Sequence, residues 1–166
     1  MGLFSKPERD IADVYKKYSD MLFRIALMQS GNKEDAMDAV QDVYLKYMGS
    51  NILFMSAEHE KAWFIRATVN RCHDIYRKNT VRDHDDLSAA ENTAYTEYFG
   101  SENTGVLDAI EKLPEKIRTV VILHYLEGFS VEETAKMLRV SVSAIKMRLS
   151  RGRDALKILL EEEFNV

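Results

Sequence analysis

The sequence predicts an all-α protein made of two small helical domains joined by a flexible linker. Residues 11–78 and 105–166 carry apolar side chains at spacings of three and four, which is typical of helices with one buried face. Residues 79–104 lose this periodicity and are rich in Asp, Glu, Ser, Asn and Thr, which indicates a linker with room for one weak helix. We therefore expect one domain at 1–78 and a second at 105–166.

The first domain is predicted to contain three helices. Ser30, Gly31 and Asn32 interrupt the first one, and Asn32 is suited to cap the second. The third begins after Ser56 and ends near Lys78. The expected core positions are Ile11, Val14, Tyr15, Tyr18, Leu22, Ile25 and Ala26 in the first helix, Ala36, Val40, Val43, Tyr44 and Tyr47 in the second, and Ile65, Val69, Cys72 and Tyr76 in the third.

The second domain is predicted to begin with two short helices. Pro114 separates a helix at 107–112 from one at 115–126, because proline is tolerated in the first turn of a helix but not in its interior. Gly128 supplies the left-handed residue that ends the second of these helices.

A helix-turn-helix follows. Ser130 and Glu133 have the spacing of a capping box, so a helix begins there and ends at Leu138. After a tight turn, Ser141 caps a long basic helix, which is the arrangement of a DNA-binding helix-turn-helix. Its expected core positions are Val142, Ile145, Leu149, Gly152, Leu156 and Leu159.

Charge is distributed unevenly along the chain. The net charge is −4, yet residues 61–82 and 139–157 each carry six Lys or Arg against a single Asp. Residues 79–105 carry six acidic residues against one Arg. Two separate basic segments in an acidic protein favour contact with a polyanion.

Three polar surfaces are candidates for binding. The last helix carries a polar face opposite its apolar one, formed by Ser143, Lys146, Ser150, Arg151 and Arg153. This face suits the major groove of DNA, and Arg148 and Lys157 are better placed for phosphates. An ordinary solvated helix face is the alternative. The third helix carries a polar stripe of Arg66, Asn70, His73 and Arg77, beside which Phe54, Trp63 and Phe64 could stack on unpaired bases or simply belong to the core. The second helix carries Asp35, Asp38, Gln41 and Asp42, which indicates either a basic partner or a solvated acidic face.

Membrane, metal, cofactor and catalytic functions are not expected. The chain lacks a long apolar stretch and a signal peptide, so we expect a cytoplasmic protein that does not insert into membranes. Its one cysteine, Cys72, excludes an internal disulfide and a typical structural zinc site, and it fits a core thiol. No nucleophile motif or glycine-rich phosphate loop is present, so we expect no catalytic residue, metal or cofactor.

Several segments resemble the sigma-70 family of RNA polymerase sigma factors, specifically the extracytoplasmic-function (ECF, group 4) type that keeps only regions 2 and 4. The matching segments are DAMDAVQDVYLK at 35–46, WFIRATVNRCHDIYRK at 63–78, LPE at 113–115, YLEGFSVEETA at 125–135 and SVSAIKMRLSRGR at 141–153. The resemblance implies a region 2 domain at 1–78 and a region 4 helix-turn-helix domain at 105–166. It also implies a transcription initiation factor that brings core polymerase to promoters and assists DNA melting without being an enzyme.

The resemblance also assigns expected roles to residues. Polymerase binding, to the clamp helices of the largest subunit, falls on Asp35, Asp38, Gln41 and Asp42. Minus-10 recognition falls on Phe54, Trp63, Arg66, Asn70, His73 and Arg77. Minus-35 recognition falls on Ser143, Lys146, Met147, Arg148, Ser150, Arg151 and Arg153. The further expected partners are promoter DNA, the flap of the second-largest polymerase subunit and an anti-sigma factor.

Two positions depart from the family pattern. Arg139 stands in the turn where glycine is common, and a non-glycine residue at positive φ would cost about 1 kcal/mol. Gly152 replaces a common alanine inside the last helix, with a similar penalty of about 1 kcal/mol and the possibility of closer backbone packing.

The alternative functions are a stand-alone helix-turn-helix regulator that binds duplex DNA without polymerase, and a sigma-like adaptor that no longer recognises DNA.

Overall fold

The protein is all-α, as its sequence predicts. The computed structural model describes residues 11–82, 98–100, 102 and 104–164, and no strand occurs among them. The longer helices are α1 (Ile11–Ser30), α2 (Lys33–Met48), α3 (Ala57–Arg82), α4 (Thr104–Glu111), α5 (Glu115–Val121), α6 (Val131–Leu138) and α7 (Val142–Phe164).

Helices α1, α2 and α3 pack around one aromatic-rich core. Leu22, Ile25 and Phe64 are fully buried at its centre. The predicted cap is confirmed, because the Asn32 side chain accepts hydrogen bonds from the amides of Glu34 at 2.8 Å and Asp35 at 3.1 Å. Unpaired amides at a helix start are costly, so this cap fixes the start of α2.

Three expected core positions of this first unit are wrong. Ile11, Tyr15 and Tyr76 are exposed, whereas the other positions predicted for α1, α2 and α3 are buried. Tyr15 lies against Tyr44 at the rim of a surface groove, with ring centroids 5.0 Å apart. Tyr76 lies beneath the guanidinium of Arg118, which belongs to the second unit. The helix α3 also continues to Arg82, past the expected end near Lys78.

The second unit begins with α4 and α5, and the end of α5 differs from the prediction. Residues Ile122–Leu126 form a π-helical turn rather than the last turn of an α-helix. In that turn the Glu127 amide donates to the Ile122 carbonyl at 2.9 Å. The wider turn leaves Ile122 and Leu123 buried but turns Leu126 outward, so helical spacing alone could not predict the orientation of this segment. Gly128 follows at φ 79°, in the left-handed conformation that the sequence predicts for it.

The helix-turn-helix is formed by α6 and α7. Ser130 accepts from the Glu133 amide at 3.0 Å and Ser141 from the Ala144 amide at 3.1 Å, so both predicted caps are present. Arg139, between the helices, has the left-handed φ of 57° and ψ of 44° that its position in the turn predicts. Gly152 allows the predicted close packing, since a Cβ there would lie 2.8 Å from Cγ2 of Val121.

The two helical units pack directly against each other. Leu107, Ile110 and Leu123 of the second unit belong to the same buried cluster as the core of the first. The predicted flexible linker falls mostly on residues 83–97, which lie outside the described residues. Near its end, Tyr98 packs against Phe23 of α1 with ring centroids 5.5 Å apart.

Candidate nucleic-acid and polymerase interfaces

The polar face of α7 is presented to solvent. Ser143, Lys146, Met147, Ser150, Arg151 and Arg153 are exposed, and Arg148 is half-buried. Burial of Ile145 and Leu149 on the opposite side fixes this orientation. Arg153 is the most constrained of the cations, because its guanidinium donates to the Tyr125 hydroxyl at 2.8 Å. All seven predicted minus-35 residues therefore lie on one accessible or partly accessible side of the helix-turn-helix.

The polar stripe of α3 is divided between solvent and the second unit. Asn70 and Arg77 are exposed. Arg66 is half-buried and donates to the carbonyl of Met137 in α6 at 3.3 Å. His73 is also half-buried and faces α5. Two of the four stripe residues thus take part in the packing of the two units.

His73 lies between two side chains of α5. Its Nδ1 is 3.3 Å from a carboxylate oxygen of Glu115, and its Nε2 is 3.3 Å from the Thr119 hydroxyl. Burial lowers the pKa of His73, and this effect outweighs the attraction of Glu115 for the protonated ring. A pKa below the ordinary value favours the neutral imidazole, so the contact with Glu115 is not a full ion pair.

The aromatic candidates lie near the start of α3 and contribute to the core. Trp63 is buried, with its ring 6.1 Å from that of Tyr47 and 5.9 Å from that of Phe54. Phe54 is half-buried and packs edge-on against His59. Phe64 is fully buried. In this arrangement Phe54 is the aromatic residue of the three with a partly accessible ring.

The acidic face of α2 combines exposed and paired side chains. Asp38 and Gln41 are exposed. Asp42 accepts a hydrogen bond from Nε of Arg71 at 2.6 Å, so part of the like-charge repulsion is relieved within the chain itself. Asp35 accepts a hydrogen bond from the side-chain amide of Asn79 at 3.1 Å. The pKa of Asp35 is raised, mainly by burial and secondly by the charge of Asp38.

An apolar groove beside this acidic face is absent from the sequence predictions. Met37, Leu45 and Met48 are exposed on α2, and they line a groove of about 560 Å³ together with residues of α1 and Tyr98. Large exposed apolar side chains commonly mark protein interfaces, and methionine adapts readily to different partners. Their spacing along α2 forms a second apolar stripe, which a search of both faces of that helix could have found.

Polar contacts between the two units were also not predicted. Arg24 of α1 donates two hydrogen bonds to the carboxylate of Glu127, at 2.6 and 2.7 Å. The buried Arg118 donates to the carbonyls of Gln29 at 2.8 Å and Leu113 at 2.9 Å. Arg24 and Glu127 are 103 positions apart, and Gln29 and Arg118 are 89 apart, so no local pattern connects the partners of either contact between the units.

Two family models match the chain. The sigma-70 region 2 model matches residues 14–82, which include α2 and α3. The sigma-70 region 4 model matches residues 105–156, which include the helix-turn-helix. The chain belongs to the sigma-70 family. Its two helical units are accordingly regions 2 and 4 of a sigma factor.

Individual relatives place the chain in the ECF group. It is 29% identical over 168 aligned positions to the ECF RNA polymerase sigma factor SigW of Bacillus subtilis, covering 92% of this chain and 88% of that protein. It is 30% identical to the ECF RNA polymerase sigma factor SigM of Mycobacterium tuberculosis, covering 89% of this chain and 75% of that protein.

Solved structures share the fold. The sigma factor RpoE of Bartonella quintana, in complex with the anti-sigma factor NepR, superposes with a TM-score of 0.71 at 25% identity, covering 92% of this chain and 97% of that one. CnrH, in complex with the cytosolic domain of CnrY, has a TM-score of 0.70 at 24% identity, covering 95% of this chain and 92% of that one.

Proposed function

We propose that this promoter-directing transcription initiation factor uses three helices for three separate contacts. The α7 face binds the minus-35 duplex, the α3 stripe captures the opened minus-10 strand, and α2 binds core RNA polymerase. Polymerase supplies all covalent chemistry. The observation that carries this proposal is the exposed basic side of α7 in a capped helix-turn-helix, because such a helix fits the major groove.

The DNA contacts differ in kind between the two sites. Lys146 and Arg151 can donate to guanine edges or phosphates of a duplex. Asn70 is short and carries both donors and acceptors, which suits the edge of an unpaired base, and Arg77 can hold a phosphate of the same strand. Trp63 is buried, so a stacking role for its ring requires local rearrangement.

Promoter binding requires a change in the packing of regions 2 and 4. Arg66 and His73 contact α5 and α6, so they are not available to a DNA strand in the present arrangement. We propose that core polymerase holds the two regions apart at the spacing of the two promoter elements. The free chain then binds promoter DNA poorly, because two tethered modules gain avidity only when their geometry matches both sites.

The partners follow from this mechanism. We propose that Asp38 and Gln41, with the neighbouring exposed methionines of α2, bind the clamp helices of the largest polymerase subunit, and that region 4 binds the flap of the second-largest subunit. An anti-sigma factor is a further proposed partner, in line with the similar RpoE structure, which was solved with NepR. Action on polymerase and DNA places the protein in the cytoplasm. None of the described helices has the length and apolarity needed to cross a membrane.

The two DNA sites are tested with variants on duplex and pre-melted promoters. Lys146→Ala or Arg151→Ala should weaken promoter-complex formation by about 1 to 3 kcal/mol if the lost contact is bidentate to a base, and a pre-melted template should not rescue it. Asn70→Ala should leave minus-35 binding intact but reduce strand opening, measured by permanganate footprinting of unpaired thymines. Lys112→Ala, an exposed cation between α4 and α5, serves as the control.

Clear outcomes separate this proposal from its alternatives. Promoter-specific transcripts should appear when the chain is added to core polymerase with a genomic template; if no template yields one, the assignment fails. Tight sequence-specific binding by the free chain would favour a stand-alone regulator. Polymerase binding that survives loss of the α7 cations without any promoter preference would indicate an adaptor. An Asn70 variant that opens promoters normally would remove α3 from minus-10 recognition.

A further inference from the structure

A cleft of about 470 Å³ lies between the first half of α3 and helix α6. Region 2 contributes Lys61 and Arg66 to its walls, and region 4 contributes Lys136 and Arg139. Glu58 and Glu133 also line the cleft, so its formal charge is positive. Since each region supplies two of the cations, the cleft exists only while the two regions are packed together.

The cations of this cleft lack carboxylate partners within the described chain. No ion pair joins Lys61, Arg66, Lys136 or Arg139 to an acidic side chain among residues 11–82 and 104–164. Arg66 donates to a carbonyl oxygen, and the ammonium of Lys61 lies 4.9 Å from the centre of the Phe129 ring. Burial and then the nearby charge of Arg139 lower the pKa of Arg66. Two guanidinium groups therefore line the same half-enclosed space, and among the described residues no carboxylate, including those of Glu58 and Glu133, forms an ion pair with either.

The backbone at Arg139 is a second, independent observation. Arg139 is the one non-glycine residue with positive φ in the described parts of the chain. Left-handed conformations of non-glycine residues are unfavourable, and such positions are concentrated at functional sites. The turn between α6 and α7 needs a left-handed residue, for which glycine is the least strained choice. An arginine at this position adds a cation to the lining of the cleft despite that strain.

We propose that this cleft binds a small oligophosphate anion, either free or as the phosphate chain of a nucleotide, which bridges regions 2 and 4. Guanidinium groups bind phosphate through paired hydrogen bonds, and lysines add point charges. The cleft has the volume of about 15 water molecules, which accommodates a chain of two or three phosphates. The bound anion relieves the repulsion between Arg66 and Arg139 and so stabilises the packed arrangement of the two regions. This proposal does not depend on the promoter contacts.

The test measures binding of tripolyphosphate and of ATP to the whole chain by calorimetry at constant ionic strength. Arg139→Gly removes one cation and relieves the backbone, so loss of binding in this variant cannot result from failed folding. We expect its affinity for tripolyphosphate to fall about tenfold, the usual effect of losing one charge-assisted contact. Lys136→Gln should lower the affinity as well. Lys112→Gln, the same change at an exposed lysine outside the cleft, should leave it unchanged.

A second measurement tests the bridging. Energy transfer between dyes on α2 and α7 is measured in the Glu127→Gln chain, because loss of the Arg24 bond lets the two regions separate more often. It should increase when tripolyphosphate is added to that chain, but not when the chain also carries Arg139→Gly. Tighter binding of ATP than of tripolyphosphate would identify a nucleotide as the ligand, and the reverse order would identify a free oligophosphate. Either order supports the cleft as an oligophosphate site. Absence of saturable binding, or equal loss in Lys112→Gln, would overturn the proposal. It would also fail if a single-stranded oligonucleotide bound but neither phosphate probe did, since the cations would then belong to a nucleic-acid surface.

Discussion

The ion pair between Arg24 and Glu127 offers the most direct perturbation of the contact between regions 2 and 4. Its two hydrogen bonds, at 2.6 and 2.7 Å, join α1 to the turn that follows α5. The bond to Glu127 raises the pKa of Arg24, as expected when a carboxylate stabilises the charged guanidinium. We predict that Glu127→Gln, which keeps the side-chain shape and removes the charge, weakens the packing of the two regions.

The expected magnitude follows from the burial of each partner. Glu127 is 5% exposed and Arg24 is 36% exposed. Breaking a fully buried pair costs about 3 to 5 kcal/mol, whereas exposed pairs contribute about 0.2 to 1 kcal/mol. With one partner buried and the other partly in water, we expect a loss of about 2 kcal/mol in the free energy of unfolding, comparable to one or two charge-assisted hydrogen bonds.

The assay is a double-mutant cycle with Arg24→Met and Glu127→Gln, measured by urea denaturation and by the distance between dyes on α2 and α7. The two single variants should each lower stability and lengthen the distance, and the coupling energy should be about 1 to 3 kcal/mol. The matched control is the Arg71–Asp42 pair, which has a similar 2.6 Å contact but lies wholly within region 2. Its coupling should stay below about 1 kcal/mol because both partners are partly exposed, and the dye distance should not change.

A coupling energy near zero for Arg24 and Glu127 would refute this reasoning. An unchanged dye distance in Glu127→Gln would also refute it, since the pair would then not hold the regions together. Equal effects from the Arg71–Asp42 control would show that the measurement reports general stability rather than the contact between regions.

Four further predictions concern single positions. In chemical denaturation, Arg139→Gly should raise the free energy of unfolding by about 1 kcal/mol, because it relieves a left-handed residue. Gly152→Ala should lower the free energy of unfolding by about 1 to 2 kcal/mol, since the clash at 2.8 Å outweighs the gain in helix propensity. Cys72 is buried and its pKa is raised to about 12, so thiol reagents should label it only at the rate of unfolding; rapid labelling of the native chain would contradict this. Burial lowers the pKa of His73, so the unfolded chain takes up the proton first and stability should decrease as the pH falls through about 6.5. The urea midpoint of His73→Asn should show a weaker pH dependence over that range, and an unchanged dependence would exclude His73 as its source.

The sequence was sufficient for features that depend on neighbouring residues. The caps at Asn32, Ser130 and Ser141 form hydrogen bonds over two or three positions, so their residue types predict the helix starts. The left-handed turn at Arg139 and the close packing at Gly152 were also predictable, because each departs from the residue that the family usually has there. All five core positions predicted for α2 are buried, and only Ala39 of its six buried residues was missed, since that helix packs along a regular apolar stripe.

Features that depend on distant residues were not predictable. The sequence indicates a flexible linker and two separate domains, but Arg24 and Glu127 are 103 positions apart, and no spacing rule relates them. Tyr76 was assigned to the core because it continues the apolar stripe of α3, yet region 4 places Arg118 over its ring instead. The π-helical turn at Ile122–Leu126 similarly shifts the helical register, and a regular spacing of apolar residues does not predict such a shift.

The double use of α3 links the packing of the two regions to the proposed DNA binding. Arg66 and His73 contact region 4 in this structure and lie on the stripe proposed to capture the minus-10 strand. Both contacts cannot be made by the same side chains at once, so packing and strand capture compete. If separating the regions costs about 2 kcal/mol, the free chain is open about one time in 30, and its apparent affinity for DNA falls by the same factor. In this proposal polymerase removes the penalty by binding the separated form. The Arg24–Glu127 contact then contributes, together with the shared apolar cluster and Arg118, to how strongly promoter binding depends on polymerase.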